Sequence, residues 1–368
     1  MRVLLVVRQY PPLIGGLETA VAQLAIGLVH RRVDVEVLTL DCRIRGRAVR
    51  LARFERIDGI PVTRVPSWSR RYALPRWRPP ASGYDLIHFH GIDGFLEQWH
   101  RWGRRLPAVL STHGLIFHTS RLARVKQWYW HELFPARARG LQVIASSAQD
   151  GARLAAVGVT APVIPNPVEI IGGQGGRRQK RHDLVCIGRL AEHKGLENLV
   201  AAFRLLAMQR PGVRLVVAGE DWDGTGARLG RLPPGMVLLG AVDEPTKRQL
   251  WAGTRLAVFP SRAEGFGLAL LEALGAGCVV AAQPNPAHRE LIVDGHNGYL
   301  LDFSQAAEAA KALGRLLDAS ACHSAVSVAA RRTAEDYRPE RVIPKVQAVY
   351  RTAMRRAPGC WESEPGGD

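Results

Sequence analysis

Cysteine is scarce in this chain and never closely paired. The five that occur among 368 residues, at positions 42, 186, 278, 322 and 360, show no CxxC spacing, which excludes a disulfide scaffold and a cysteine zinc module and fits reduced thiols in the cytoplasm. Long apolar runs are missing too. The run from Val3 to Val7 is broken by Arg8, too short for a signal peptide or a membrane span, and no longer candidate follows. Acidic residues are outnumbered, 33 against 50 Lys and Arg for a formal net charge of +17, so anionic partners are favoured: phosphorylated substrates, acidic lipid or nucleic acid. No helix-turn-helix, RNA-recognition or zinc-finger pattern accompanies the charge, which makes nucleic acid the weakest of the three. The GxGxxG fingerprint is also absent. Gly15-Gly16 follows the first strand instead, with no acid placed for a dinucleotide ribose, which argues against NAD.

At 47% hydrophobic and 23% charged residues, the chain has a normal globular balance, and its length suits two domains of similar size. Val3 to Val7, the turn-rich Pro11 to Gly16, a helix over about Glu18 to Val29 and the strand Val35 to Thr39 form a β-loop-α-β opening, which predicts a parallel sheet with right-handed crossovers. Gly15 and Gly16 either open the start of that helix to a phosphate or sugar or simply make a flexible turn. The clearest break in composition is Pro165-Asn166-Pro167 followed by the glycine-rich and basic stretch to Arg181, a linker; the strand Leu184 to Ile187 then restarts the pattern.

The stretch Phe259 to Ala273 organises the second half. An apolar strand ends at Phe259, a turn containing Gly265 and Gly267 follows, and an Ala/Leu-rich helix begins. A helix start presents unpaired amides and the positive end of its dipole, so Phe266, Gly267 and Leu268 are expected to bind phosphate, with glycines that let a ligand approach the main chain. Glu264 in the loop and Glu272 one turn into the helix are acceptor-only groups that suit a ligand rich in hydroxyls. Arg189 and Lys194 follow the strand Leu184 to Ile187 and are suited to a pyrophosphate.

Several other features have competing readings. Asp221 and Asp223 form a DxD pair able to hold a divalent ion, or simply a turn. His88 and His90 fall on one strand face, a weak metal pattern. His113 lies at a strand end, on the carboxyl edge where open α/β sheets bind ligands. Ser147 and Asp150 form a capping box, and a short helix starts near Glu290. Arg64, Arg70, Arg71, Arg76 and Arg78 mix with Trp68, Tyr72 and Trp77, and a second basic stretch carries Trp99, Trp102, Trp128, Tyr129 and Trp130. That composition suits an anionic membrane surface.

Taken together, Pro11-Pro12-Leu13-Ile14-Gly15-Gly16-Leu17-Glu18, Pro165-Asn166-Pro167-Val168, Gly188-Arg189-Leu190 to Lys194-Gly195, Pro260-Ser261 through Glu264-Gly265-Phe266-Gly267 to Glu272, and Asp294 to Gly298 resemble the family-4 retaining glycosyltransferases with the GT-B fold. The resemblance implies an α/β protein of two Rossmann-like domains whose parallel sheets face across a cleft. Residues 1–168 would bind acceptor, 169–182 would link, and 183–336 would bind the nucleotide sugar. Residues 337–356 would cross back to the first domain, with 357–368 a tail. It places Arg189 and Lys194 on the donor pyrophosphate, Glu272 on the ribose, Glu264 on the donor sugar, Gly16 beside the phosphate and His113 near the reacting sugar. The sequence departs from the family's glycine-rich turn at Gln283 to Glu290.

The expected activity is metal-independent transfer of a hexose, with retention, from a UDP- or GDP-sugar to an acceptor hydroxyl, with no cofactor. A lipid-linked saccharide in cell-surface polysaccharide synthesis is the expected acceptor, and the enzyme is expected in the cytoplasm, peripheral on the inner face of the membrane. The alternatives are a nucleic-acid-binding α/β protein and an epimerase or phosphorylase of the same fold.

Overall fold

The computed structural model describes residues 1–44, 49–69, 74–102, 106–115, 123–170, 182–319 and 323–355. The chain divides into two compact units, Met1–Pro167 with the chain from Pro339, and Val168–Arg338. Most of the expected linker, the tail, Arg70, Arg71, Tyr72, Cys322 and Cys360 lie outside the described residues.

The first unit starts with β1 (Arg2–Val7), α1 (Gly16–His30) and β2 (Asp34–Leu40). The hairpins β3 (Phe54–Ile57) with β4 (Ile60–Val65) and β5 (Ser67–Ser69) with β6 (Leu74–Pro75) follow. Next come β7 (Leu86–His90), α2 (Gly94–Trp102), β8 (Ala108–Ser111) and α3 (Ala123–Trp128). A π-helical turn, Tyr129–Leu133, leads into α4 (Phe134–Ala138), β9 (Leu141–Ile144) and α5 (Ala148–Ala155). Among the described residues the main sheet runs β3-β4-β2-β1-β7-β8-β9, parallel except for the edge strand β3. Its buried strands are near-continuous apolar runs, as a sheet covered on both faces requires. Counted without β3, this is the doubly wound order 3-2-1-4-5-6, whose switch point lies between β1 and β7.

The second unit repeats the plan. It runs β10 (His182–Ile187), a 3₁₀ turn at Glu192–Lys194, α6 (Leu196–Gln209), β11 (Leu215–Ala218), α7 (Thr225–Arg228) and β12 (Met236–Leu238). After these come α8 (Glu244–Gly253), β13 (Thr254–Phe259), α9 (Leu268–Gly275), β14 (Val279–Ala282), α10 (Pro286–Leu291) and β15 (Tyr299–Leu300). Helices α11 (Ala306–Asp318) and α12 (His323–Glu335) close it. Its sheet is parallel in the order β12-β11-β10-β13-β14-β15, again 3-2-1-4-5-6, with its switch point between β10 and β13. Val168 and Ile170 are already buried in this unit's core.

The last helix, α13 (Pro339–Arg355), belongs to the first unit. Val342, Ile343, Val346 and Tyr350 bury one face of it in the same cluster as Val21, Leu24 and Leu28 of α1.

Three expectations are corrected by the structure. Arg64 does not belong to a basic face: it is fully buried on β4, ion-paired with Glu55, and donates to the carbonyls of Ala52 and Pro11. Its β3–β4 hairpin escapes a reading that sees only the charge. Trp99 and Trp130 are core residues at 2% and 6% exposure, whereas Trp68, Trp102 and Trp128 are exposed. The short helix near Glu290 begins earlier, because Asn285 caps it through the His288 amide and Pro286 supplies the fixed φ of its first turn.

Candidate active site

Each switch point gathers loops at the carboxyl ends of neighbouring strands, which explains why residues far apart in sequence meet there. In the second unit the loop after β10 carries Arg189 and Lys194, and the loop after β13 carries Glu264. The two are stitched by the Arg262 amide donating to the His193 carbonyl at 2.9 Å. Gly195 makes this approach possible. Its φ is +65°, and a Cβ there would lie 2.4 Å from the Pro260 carbonyl oxygen.

Lys194 Nζ sits 2.5 Å from Glu264 Oε1. Burial alone would raise the Glu264 pKa, but the Lys194 charge, reinforced by His288 and a Ser261 hydrogen bond, outweighs it and brings the carboxylate to about 2. The ammonium has three N–H donors, so the pair leaves Lys194 able to reach a phosphate oxygen as well. Gly267 caps α9, and the first amides of that helix, from Leu268, lack intrahelical acceptors. Arg189 lies with its guanidinium 4.1 Å from the centre of the Trp222 ring.

Glu272 is not joined to Glu264. It takes its own partner, Lys247 of α8, at 2.8 Å, and that ammonium also reaches Glu244 at 2.7 Å. Burial leaves the Glu272 pKa above its ordinary value even with Lys247 beside it. Lys247 was not singled out from the sequence, where nothing links an exposed-looking helix lysine to a glutamate 25 positions later.

The DxD carboxylates are engaged by backbone amides and by Arg228. Asp221 accepts from the Gly226 amide, and Asp223 accepts from the amides of Glu192 and Thr225 and pairs with Arg228. Among the described residues no cluster of three or more His, Cys, Asp or Glu is placed to hold a metal ion.

His288, part of the loop that departs from the family pattern, is fully buried and bonds the Gln283 carbonyl and Asn285. Asn285 in turn donates to the Ser261 carbonyl at 2.7 Å. This loop therefore braces the Glu264 turn from behind.

In the first unit, Gly15 caps α1 in extended backbone. A Cβ there would meet the Glu18 carboxylate, the movable end of a flexible side chain. Gly16 is the first residue of α1. Arg64 secures the preceding Pro11 turn.

His113 lies just past β8 with φ of +52°, a conformation non-glycine residues rarely take. Its amide donates to Ser146 Oγ at 2.8 Å, and Asp150 clasps the neighbouring backbone, accepting from the amides of Gly114 and Leu115 at 2.9 and 2.8 Å and from Thr112 Oγ1. The capping box is thus only half made. Ser147 Oγ accepts from the Asp150 amide, but the Asp150 carboxylate is spent on the His113 loop. Burial lowers the His113 pKa to about 4, with Asn166 partly opposing the shift, so the ring is neutral at pH 7. Asn166 marked the start of the linker in the sequence; here it stands beside a site residue. His88 and His90 are bonded to Tyr350, Ser111 and His113 rather than arranged as a metal pair.

The fold is that of the GT-B enzymes. A sucrose-phosphate synthase from Thermosynechococcus elongatus superposes with a TM-score of 0.75 at 18% identity, covering 96% of this chain and 99% of that one. The Anabaena protein HepE, solved with UDP and glucose, gives 0.71 at 19% identity, covering 96% and 100%.

The family profile for glycosyl transferases group 1 matches residues 168–333, and that for glycosyltransferase family 4 matches residues 14–170. A GDP-mannose:cellobiosyl-diphosphopolyprenol alpha-mannosyltransferase of Xanthomonas campestris is 32% identical over 353 residues, 91% of each chain. Its namesake in Komagataeibacter xylinus is 30% identical over 326 residues, 84% of this chain and 82% of that one. The chain belongs to the group 1 glycosyltransferases of the family 4 type, and is a glycosyltransferase.

Proposed function

We propose that this enzyme transfers mannose from GDP-mannose, with retention, to a saccharide carried on a polyprenyl diphosphate. The observation that carries the site is the Lys194–Glu264 pair at the second unit's switch point, directly ahead of the open end of α9. The choice of donor and acceptor rests on the two mannosyltransferases that the chain resembles over most of its length.

In this reading Arg189, Lys194 and the amides of Phe266, Gly267 and Leu268 take up the charge that develops on the departing nucleotide diphosphate. Lys194 is suited to the task because Glu264 fixes its ammonium while leaving N–H donors to spare. Glu264, held ionised, accepts from hydroxyls of the donor sugar, and Glu272 from those of the ribose. His113 positions the sugar, and Gly15 and Gly16 give acceptor and phosphate close access to the start of α1. No carboxylate stands out as a covalent nucleophile, so retention proceeds by attack of the acceptor hydroxyl on the leaving group's face, its proton passing to the departing phosphate. With Asp221 and Asp223 committed to backbone amides, the cationic side chains take the role a divalent ion would have. Excess EDTA should then leave turnover within about twofold.

A panel of GDP-mannose, UDP-glucose and ADP-glucose in a thermal-shift assay tests the donor. A rise with GDP-mannose alone is expected. Mannosyl transfer to cellobiosyl-diphosphoprenol then tests the acceptor, and stabilisation by no nucleotide sugar rejects the reading.

The enzyme is also proposed to work at an anionic membrane surface. Supporting this, Trp68 is 68% exposed with the Arg76 guanidinium 3.8 Å from its ring centre, and Trp102 is flanked by Arg78 and Arg101. Such pairs place rings and cations where headgroups meet acyl chains. Among the described residues no helix is long and apolar enough to cross a membrane. Co-sedimentation with phosphatidylglycerol vesicles but not with phosphatidylcholine is expected; equal binding to both counts against it.

A further inference from the structure

The proposed mechanism gives the Asp221-Trp222-Asp223 loop no task. Its carboxylates close the loop on either side of the tryptophan: Asp221 accepts from the Gly226 amide at 2.9 Å and Asp223 from the Thr225 amide at 3.1 Å. Trp222, between them, is half-buried. Its amide donates to the Leu190 carbonyl at 3.1 Å and its indole N–H to Glu220 Oε2 at 3.3 Å, so the ring has two anchors.

The same loop is laced to the one that carries Arg189 and Lys194. The Leu190 amide donates to the Glu220 carbonyl at 2.9 Å, and with the Trp222 bond this makes a short parallel bridge. Gly219 lets the two backbones touch, since a Cβ there would collide with the Gly188 carbonyl oxygen. Asp223 reaches further, accepting at 3.1 Å from the amide of Glu192, the first residue of the 3₁₀ turn that ends at Lys194.

The Arg189 guanidinium carbon stands over the Trp222 ring, 4.1 Å from its centre. A cation held over an indole face keeps its charge, so this contact orients Arg189 without offsetting what draws a diphosphate to it.

We infer that the Asp221-Trp222-Asp223 loop is a positioning element for the nucleotide diphosphate site, in which Trp222 holds the Arg189 guanidinium and Asp223 holds the turn that delivers Lys194. The inference rests on the proposed placement of Arg189 and Lys194 at the donor diphosphate. Neither Trp222 nor Asp223 need touch the ligand for this.

The test is a double-mutant cycle on the full chain, with GDP binding measured by calorimetry and UDP run alongside. Trp222→Leu should weaken GDP binding about fivefold to thirtyfold, and Trp222→Phe, which keeps an aromatic face, should stay within about threefold of wild type. Placed in an Arg189→Ala background, Trp222→Leu should cost less than about twofold, because the cation it holds is gone. A tryptophan that merely supports the fold would lose the same factor in both backgrounds, and that result overturns the inference. Undiminished affinity in Trp222→Leu, or Trp222→Phe no better than Trp222→Leu, overturns it too. Should the leucine variant not fold, Trp222→Met takes its place.

Asp223→Ala releases the Glu192 amide and should weaken GDP binding about threefold to tenfold, by the same factor in magnesium chloride as in EDTA. A loss confined to magnesium would make Asp223 a metal ligand and overturn its part. Arg189→Ala binding GDP as tightly as wild type shows instead that the placement at the diphosphate is wrong, and the inference falls with it. If the wild type binds UDP and not GDP, the donor base is corrected and the cycle is read with UDP; binding of neither rejects the donor reading and the inference together.

Discussion

Lys247 Nζ lies 2.8 Å from Glu272 Oε1, joining α8 to α9 through a pair of charges that are 15% and 11% exposed. The lysine also reaches Glu244, so one ammonium serves two carboxylates. Glu272 is thereby held on α9 by a residue that no local pattern announces.

Replacing Lys247 by Met should strand the Glu272 charge in the interior. A loss of roughly 3–5 kcal/mol in unfolding free energy is expected. The Glu272 pKa already lies above its ordinary value in the folded protein, and the substitution pushes it higher. A raised carboxyl pKa favours the fold below the unfolded pKa and loses that advantage as pH rises. The deficit of the variant should therefore be larger at pH 8 than at pH 5, measured by urea unfolding. A deficit that is the same at both would show that the buried charge is not its source.

Gly195→Ala should disturb the loops after β10 and β13 directly. Its φ of +65° and the 2.4 Å approach to the Pro260 carbonyl leave no room for a methyl group. A cost of about 1–3 kcal/mol in stability is expected, together with weaker nucleotide-sugar binding by calorimetry, because the Lys194–Glu264 contact depends on the same approach. Unchanged affinity would mean that the loops meet without it.

Asp150→Asn keeps the shape but removes the acceptor charge from the His113 loop. At most one amide oxygen remains for the Thr112, Gly114 and Leu115 donors now sharing the carboxylate. Destabilisation of about 2–3 kcal/mol is expected, with turnover falling more than the KM for donor, since the loop holds His113 rather than the nucleotide. Equal effects on both parameters would point to a general loss of structure.

Acid should weaken the Lys194–Glu264 pair in a defined window. The Glu264 pKa falls from its ordinary 4.5 to about 2 on folding. A depressed carboxylate pKa contributes stability above the unfolded value, and that contribution drains away as pH drops from about 4.5 towards 2. The difference in unfolding free energy between wild type and Glu264→Gln should hold steady from pH 7 to 5 and shrink by pH 3.5. A constant difference throughout would exclude the ion pair as its origin.

Much of this protein was legible without coordinates. The strands are continuous apolar runs, and the helix over Leu196–Gln209 follows from its own apolar spacing. The glycine turns at 195 and 267 announce where the chain must bend or approach another segment. These signals are local, carried within one strand or one helical turn, and they suffice to set the alternation of β and α and with it two parallel sheets.

Partnership is another matter. Lys194 and Glu264 are 70 positions apart, and His88 and Tyr350 are 262 apart; strand order, not spacing, brings each pair together. The same holds for the burial of Arg64, Trp99 and Trp130, which composition assigned to the surface, and for Asp150, which looked like half of a helix cap. Charge and aromatic content do not say which way a side chain faces. That is decided when the sheet acquires neighbours on both sides, and only then does a buried carboxylate or imidazole find the one partner that can satisfy it.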